Sequence, residues 1–134
     1  MNVLDYKNWS SGSGNSLNLT KVSEEVISHY NNNKRIFIGS DSFRSRKNIC
    51  FVTTVCLLTE RLGGRYFFYK EYVSPKKYST LATRITEEVR RSIELAEHFM
   101  ENHRVSPDMM ELHLDVSPFA AKEGTSRLSE MLKG

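Results

Sequence analysis

Two aspartates, Asp41 and Asp115, each stand at the end of a short stretch that we predict to be a strand. The first run, Ile36–Ile38, is too short for a helix and is typical of a strand buried on both faces. Gly39 allows backbone or ligand to come close, and a partly desolvated carboxylate at the end of such a strand requires compensation. The run Met110–Leu114 repeats the arrangement. Both predicted strands therefore deliver a carboxylate at their carboxyl ends.

If these strands are parallel neighbours, the two carboxylates lie at the same edge of a sheet, where α/β proteins bind ligands. Adjacent carboxylates repel each other, and a cation between them removes that penalty. Carboxylate and water ligands suit magnesium or manganese. The pattern therefore predicts a Mg²⁺ or Mn²⁺ site on Asp41 and Asp115.

A third acid is expected from a helix that follows Ser74-Pro75, either at once or after a short lead to Ser79, and runs to about Met100. At about 100° per residue, its apolar residues gather on one side: Leu81, Ile85, Val89, Ser92, Ile93, Ala96, Phe99 and Met100. Glu88 lies at the edge of that stripe, whereas Glu87 and Glu94 point toward solvent. Glu88 is therefore predicted to join the two aspartates as a metal ligand and catalytic residue.

Each of these acids also has a simpler interpretation. Asp41 could form a turn, because Gly-Ser-Asp-Ser is also turn chemistry, and Asp115 could be a capping residue. Glu88 could be a surface acid in an i,i+4 network with Arg84 and Arg91. Among auxiliary residues we consider Ser42 and His113, although a histidine hydrogen-bonded within the core is the alternative for the latter.

Two basic clusters border the predicted site: Arg44, Arg46 and Lys47 after Asp41, and Lys76 and Lys77 before the helix that carries Glu88. Basic loops there would contact phosphates and make affinity fall with salt, although solvated surface charge is the alternative. Nearby aromatics could stack on bases, but strand alternation turns about half of them into the core: Tyr66, Phe67, Phe68, Tyr69 and Tyr72.

The rest of the pattern predicts the elements that position these residues. Residues 1–16 read as a flexible N-terminal segment, because the Ser-Gly-rich stretch is typical of a loop. Residues 17–134 form one domain that begins with a helix capped by Asn18 or Thr20. Three strands joined by short loops then form an antiparallel meander, and a helical crossover leads to a strand parallel to the first. A last helix over Thr125–Lys133 completes an α/β fold with a mixed sheet.

Bulk properties set limits on the class of protein. The chain has 134 residues and a net charge of +3, which permits a polyanionic partner without requiring one. No apolar run approaches the ~20 residues needed to cross a bilayer, and the first residues show no secretory pattern. Cys50 and Cys56 lie on the same side of one predicted strand, too far apart for a disulfide, which favours a reducing, cytoplasmic location away from membranes.

Three motifs together resemble a known family: Ile-Gly-Ser-Asp-Ser at 38–42, Arg-Ile-Thr-Glu-Glu-Val at 84–89, and Leu-His-Leu-Asp at 112–115. Their order and spacing are similar to those of the ribonuclease H-like superfamily, and in particular of its uncharacterised bacterial YkuK-type branch of predicted nucleases. The resemblance covers Ile36 to Gly134. It implies a two-metal nuclease site on Asp41, Glu88 and Asp115 that hydrolyses phosphodiester bonds of DNA, RNA or a hybrid.

The comparison with this superfamily also predicts that the chain differs from the usual fold at its C-terminal end. Ribonuclease H-like folds continue with a fifth strand and a closing helix, which often supplies a fourth ligand, and we expect this chain to lack both after Gly134. The second metal ion would then be held weakly, and the exposed edge of the fourth strand would favour self-association. The alternative function is a non-catalytic nucleic-acid-binding or assembly module on the same fold.

Overall fold

The computed structural model describes residues 3–59 and 63–113, in which two helices pack on one face of a six-stranded sheet. The helices are α1 (Leu19–Asn31) and α2 (Leu81–His103). The strands are β1 (Trp9–Ser11), β2 (Ser16–Leu17), β3 (Ile36–Ser45), β4 (Asn48–Thr59), β5 (Gly63–Val73) and β6 (Met110–His113). Short 3₁₀ helices span Val3–Tyr6, Pro75–Tyr78 and Pro107–Met109.

The sheet is mixed, with the strand order β2-β1-β5-β4-β3-β6. Strands β3, β4 and β5 form the antiparallel meander, and β6 pairs parallel with β3 after the crossover through α2. The predicted α/β fold and its order of elements are thereby confirmed for the described residues. The helix predicted over Thr125–Lys133 lies outside them.

Local capping decides where both helices begin. The Asn18 side chain accepts a hydrogen bond from the Lys21 amide at 2.9 Å, so Asn18, and not Thr20, is the N-cap of α1. Thr80 and Thr83 cap the start of α2 reciprocally, each side chain accepting from the other's backbone amide. The 3₁₀ helix Pro75–Tyr78 is thus the short lead, and α2 begins after it.

The N-terminal residues, predicted as a loop, contain secondary structure. Strand β1 pairs with the outer edge of β5 through Ser10 and Phe68. Trp9 is buried, with its ring edge-on to that of Tyr69 at 4.8 Å between centroids, and Leu4 is buried beside the same core. A three-residue strand is too short to show a period, but the apolar surface of these side chains fixes it to the domain.

The core between sheet and helices orients β3. Ile36 and Ile38 pack with Val26 of α1 and with Leu95 and Phe99 of α2 in one buried cluster. Because side chains alternate along a strand, Ser40 and Ser42 continue this helix-facing row. The row therefore changes from apolar to polar as β3 passes beneath the first turns of α2.

Cys50 and Cys56 are both buried and free, as the spacing predicted. Within residues 3–59 and 63–113, neither helix has the length and apolar content to cross a membrane.

Candidate active site

Ser42 joins two of the three predicted carboxylates. Its hydroxyl donates a hydrogen bond to the Glu88 carboxylate, and its amide donates to Oδ1 of Asp41 at 2.9 Å. Because side chains alternate along a strand, those of Asp41 and Ser42 point to opposite faces of the sheet. The Ser42 side chain faces α2 and contacts Glu88, whereas the Asp41 carboxylate accepts from the backbone amide of Ser42. The structure therefore brings Asp41 and Glu88 to one residue of β3.

Glu88 lies in a buried position on α2, with 8% of its surface exposed. The interpretation of Glu88 as a surface acid is therefore wrong. Arg84, one turn earlier, donates from Nε to Ser42 Oγ at 3.1 Å and from Nη2 to the Ser42 carbonyl oxygen at 2.9 Å. Arg91 pairs with Glu71 and Glu87. The polar side chains of α2 therefore make two sets of contacts. Arg84 and Glu88 contact Ser42 of β3. An ionic cluster joins Glu87, Arg90 and Arg91 to Glu71 of β5.

The buried face of α2 is rotated from the predicted stripe. Ile93 and Met100, predicted to be buried, are 40% and 37% exposed, whereas Leu95 is fully buried. Glu87, predicted to point toward solvent, is buried and contacts Nε of Arg91 at 2.7 Å. The apolar pattern failed because charged side chains are buried here as pairs, which a count of apolar residues does not register.

The ionic cluster keeps its groups charged. Hydrogen bonds from Arg90 lower the pKa of Glu87 against the opposing effect of burial, with Arg91 adding to the lowering. Burial alone would raise the pKa of Glu71, but contacts with Lys7 and Arg91 outweigh it and the pKa is lowered. The Arg91 guanidinium also lies over the ring of Phe51, 4.5 Å from its centroid. This cluster fixes α2 against β4 and β5.

Both predicted basic clusters lie at the end of the sheet that carries Ser42. The β3–β4 turn holds Arg46 and Lys47, and the pairing of Ile49 with Val73 brings the end of β5 beside it. The 3₁₀ helix that follows β5 places the ring of Tyr78 on Phe51, the β4 partner of Ser42, at 5.0 Å between centroids. All five basic side chains are exposed: Arg44, Arg46, Lys47, Lys76 and Lys77.

The parallel strand β6 places His113 opposite Gly39. The His113 side chain is 43% exposed and its ring lies against Phe37 at 5.4 Å between centroids, so the interpretation as a core histidine is wrong. Asp115 lies outside the described residues.

The aromatics of β5 divide between the two faces as alternation predicted. Phe67 and Tyr69 are buried against the helices, whereas Tyr66 and Phe68 stack on each other at 6.0 Å on the opposite face and Tyr72 is 56% exposed. Core packing therefore explains only the first two.

No three His, Cys, Asp or Glu side chains lie close enough together to hold a metal ion among residues 3–59 and 63–113. Of the three predicted ligands, Asp41 and Glu88 lie among the described residues and Asp115 does not. Their carboxylate and hydroxyl oxygens are the donor type that Mg²⁺ and Mn²⁺ prefer. Sequence reasoning missed the hydrogen bonds from Arg84 to Ser42, although the i,i+4 spacing of Arg84 and Glu88 is a visible signal that both face the same strand.

Comparison with known families agrees with this architecture. Residues 18–133 match the family described as Ribonuclease H-like, and the chain belongs to that family. Searches of curated proteins and of solved structures gave no match. The family match covers all three motifs on which the resemblance rests, and the narrower YkuK-type assignment stays a prediction.

Proposed function

We propose that this protein is a metal-dependent nuclease that hydrolyses phosphodiester bonds with Asp41, Glu88 and Asp115 as metal ligands. The observation that carries the proposal is the meeting of Asp41 and Glu88 at Ser42, where β3 passes beneath α2. A ribonuclease H-like fold supports nucleic acid as the substrate class. The second ion of a two-metal site is part of the proposal.

The register of the parallel pair supports including Asp115. Residues 36 to 39 of β3 pair in order with residues 110 to 113 of β6. Continued by two residues, the same offset would pair Asp41 with Asp115, which lies outside the described residues. The two carboxylates would then lie next to each other at the carboxyl ends of adjacent parallel strands, and Glu88 would reach the same place from α2.

The residues of the proposed site would have distinct roles. Asp41 and Glu88 would hold a divalent cation through their carboxylate oxygens, and Ser42 fixes the position of both. A cation bound there would supply Lewis-acid stabilisation of phosphate oxygens and would lower the pKa of an attacking water. The exposed basic clusters would hold the phosphate backbone across the site.

The same basic clusters favour a second candidate, a nucleic-acid-binding or assembly module without hydrolysis. Phosphate contacts from Arg44, Lys47, Lys76 and Lys77 require no metal. Metal titration separates the two candidates. For the nuclease, millimolar Mg²⁺ or Mn²⁺ should raise the melting temperature and shift NMR resonances at Asp41, Ser42 and Glu88, with Ca²⁺ as a larger control ion. If no resonance moves and stability is constant, the enzyme proposal fails.

We expect nucleic-acid binding to depend on salt through the β3–β4 turn. Replacing Arg44 and Lys47 by Gln should weaken binding most at low salt and reduce the slope of log affinity against log salt by about 0.9 per lost contact with duplex phosphate. Arg46 stays unchanged, because its left-handed backbone (φ 54°) makes substitution effects ambiguous. The slope is measured by fluorescence anisotropy between low and moderate salt.

The matched control for this charge change replaces Lys21 and Lys34, which lie on α1 and just after it, by Gln. It removes the same charge while keeping the β3–β4 turn intact. Equal losses in both double variants would mean that only net charge matters, and a phosphate site at the turn would be ruled out.

A further inference from the structure

Strand β5 carries a row of aromatic side chains on the sheet face opposite the helices. Because Phe67 and Tyr69 of β5 pack in the core, the residues that alternate with them point to this opposite face. They form what we call the β5 row: Tyr66, Phe68, Lys70 and Tyr72. Tyr72 is 56% exposed, Lys70 is exposed, and the other two are partly exposed. The β5 row therefore presents three aromatic rings and one cation at the surface.

Neighbouring groups hold these rings in place. Tyr66 and Phe68 stack with 6.0 Å between their centroids and 27° between their planes. The Tyr66 ring lies against Gly12 of the β1–β2 turn, where a Cβ atom would come within 2.6 Å of it. The Lys70 ammonium lies 5.8 Å from the centroid of the Phe68 ring. A ligand that stacks on such preformed rings has little ordering of side chains to offset.

The charges around the β5 row favour a polyanionic ligand. From Tyr72 the chain continues into the exposed cations Lys76 and Lys77, and the basic β3–β4 turn lies beside this end of β5. Lys70 adds a cation within the row itself. Docking of an apolar protein surface would not require these cations. Single-stranded nucleic acid offers phosphates for the cations and base faces for the rings.

The register of the sheet places the β5 row beside the proposed site. Lys70 pairs with Val52 of β4, and Val52 pairs with Asp41 of β3. Side chains paired directly across strands point to the same face, and two strand spacings separate β5 from β3 by about 10 Å. A nucleic-acid strand bound along the β5 row would therefore pass beside Asp41.

We propose that the β5 row binds single-stranded nucleic acid by stacking its bases on Phe68 and Tyr72, while Lys70 and the basic clusters hold the phosphates. The inference rests on the proposed function for nucleic acid as the ligand, and it adds that the bound strand is unpaired. It requires neither bound metal nor hydrolysis. Because every base has a π-face, binding should be tolerant of sequence.

The test compares a short fluorescent oligothymidylate with an abasic strand that has the same number of phosphates. Both affinities are measured by fluorescence anisotropy in EDTA at low salt. The unchanged protein should bind oligothymidylate at least about tenfold more tightly than the abasic strand, the effect of one stacked base. Tyr72→Ala should weaken oligothymidylate binding about tenfold and change abasic binding less than about twofold. Tyr72→Phe keeps the ring and should retain the original affinity.

Tyr6→Ala is the matched control, since Tyr6 is 69% exposed and lies in the 3₁₀ helix Val3–Tyr6. It should leave both affinities unchanged. Phe68→Leu provides a second variant within the β5 row, because it removes the ring while keeping most of the apolar volume beside Tyr66. It should weaken oligothymidylate binding and leave abasic binding unchanged.

The outcomes separate this inference from the proposed function. Equal binding of the two strands by the unchanged protein, or equal losses for both strands in Tyr72→Ala, would overturn the stacking role and leave the nuclease proposal intact. If affinity depends on bases as expected while Mg²⁺ and Mn²⁺ have no effect, the nuclease proposal fails and the stacking role stands. If Tyr72→Ala changes the oligomeric state in light scattering but not the affinity for oligothymidylate, the face contacts a second copy of the chain, and the inference is overturned.

Discussion

Replacing Asp41 by Asn is expected to reduce manganese-supported cleavage of nucleic acid at least about 100-fold, because metal ions contribute several kcal/mol of transition-state stabilisation and each 1.36 kcal/mol is a factor of ten. The amide retains an oxygen that can accept from the Ser42 amide, so the local fold should persist. Without metal the variant should be as stable as the original or more stable, since one of the two carboxylates that accept hydrogen bonds from Ser42 loses its charge. Cleavage is measured with a labelled oligonucleotide, and stability by urea unfolding.

Asp108→Asn is the control for this change, since Asp108 is an exposed aspartate in the 3₁₀ helix before β6. It should cleave as the original protein does. If Asp41→Asn unfolds the protein, Asp41 has a structural role, and if the variant cleaves at the original rate, Asp41 does not hold the metal.

Replacing Arg91 by Met should lower the free energy of unfolding by about 3 kcal/mol, because it leaves two carboxylates without their buried partner. The Arg91 side chain is 5% exposed, and it contacts Glu87 at 2.7 Å and Glu71 at 2.6 Å. Met preserves most of the volume against Phe51, so the loss reports charge and hydrogen bonding. Urea unfolding at pH 7 measures it.

Arg90 provides the matched comparison for that change. It pairs with the same Glu87, yet its side chain is 55% exposed. Arg90→Met should therefore cost no more than about 1 kcal/mol, the range of solvent-exposed ion pairs. Equal costs for the two variants would show that burial does not set the strength of the cluster.

Lowering the pH should reduce the difference in unfolding free energy between the original protein and Arg91→Met. The pKa values of Glu71 and Glu87 are lowered in the folded protein from the ordinary 4.5, so their stabilisation is complete well above pH 4.5 and is lost as pH falls through the folded values. In the variant these carboxyls keep Lys7 and Arg90 but lack Arg91, and protonation at low pH removes the cost of burying their charge without it. The difference in unfolding free energy should therefore shrink as the pH falls from 4.5 through the lowered pKa values of Glu71 and Glu87.

The fold was predictable because its strands carry clear patterns. The runs that became β3, β4 and β5 are apolar, β-branched and separated by short turns, which leaves little choice but a meander. The crossover through α2 then made a parallel β6 the natural solution. The short strands β1 and β2 were not predictable, since they have three and two residues, and β1 is held by the burial of Trp9 and by pairing with β5.

The site was predictable only in part. A carboxylate after an apolar strand is a visible signal, and Glu88 was chosen correctly as an acid able to reach the sheet. The rotation of α2 was not visible, because Arg91 and Glu87 enter the interior as a pair and displace Ile93 from it. The contact of Glu88 with Ser42 of β3 depends on that rotation, so it could not be predicted either. That Asp41, Glu88 and Asp115 share a metal stays a prediction.

The parallel pairing of β3 with β6 has a consequence for newly synthesised chains. The meander can form from local contacts as soon as β5 has been translated, but β3 gains its second neighbour only when β6, some 70 residues later, has left the ribosome. Residues 36 to 39 therefore remain an open edge until β6 has emerged. Under the proposed function, a site that includes this pairing would assemble only after β6, so a nascent chain that ends before residue 110 would not hydrolyse nucleic acid.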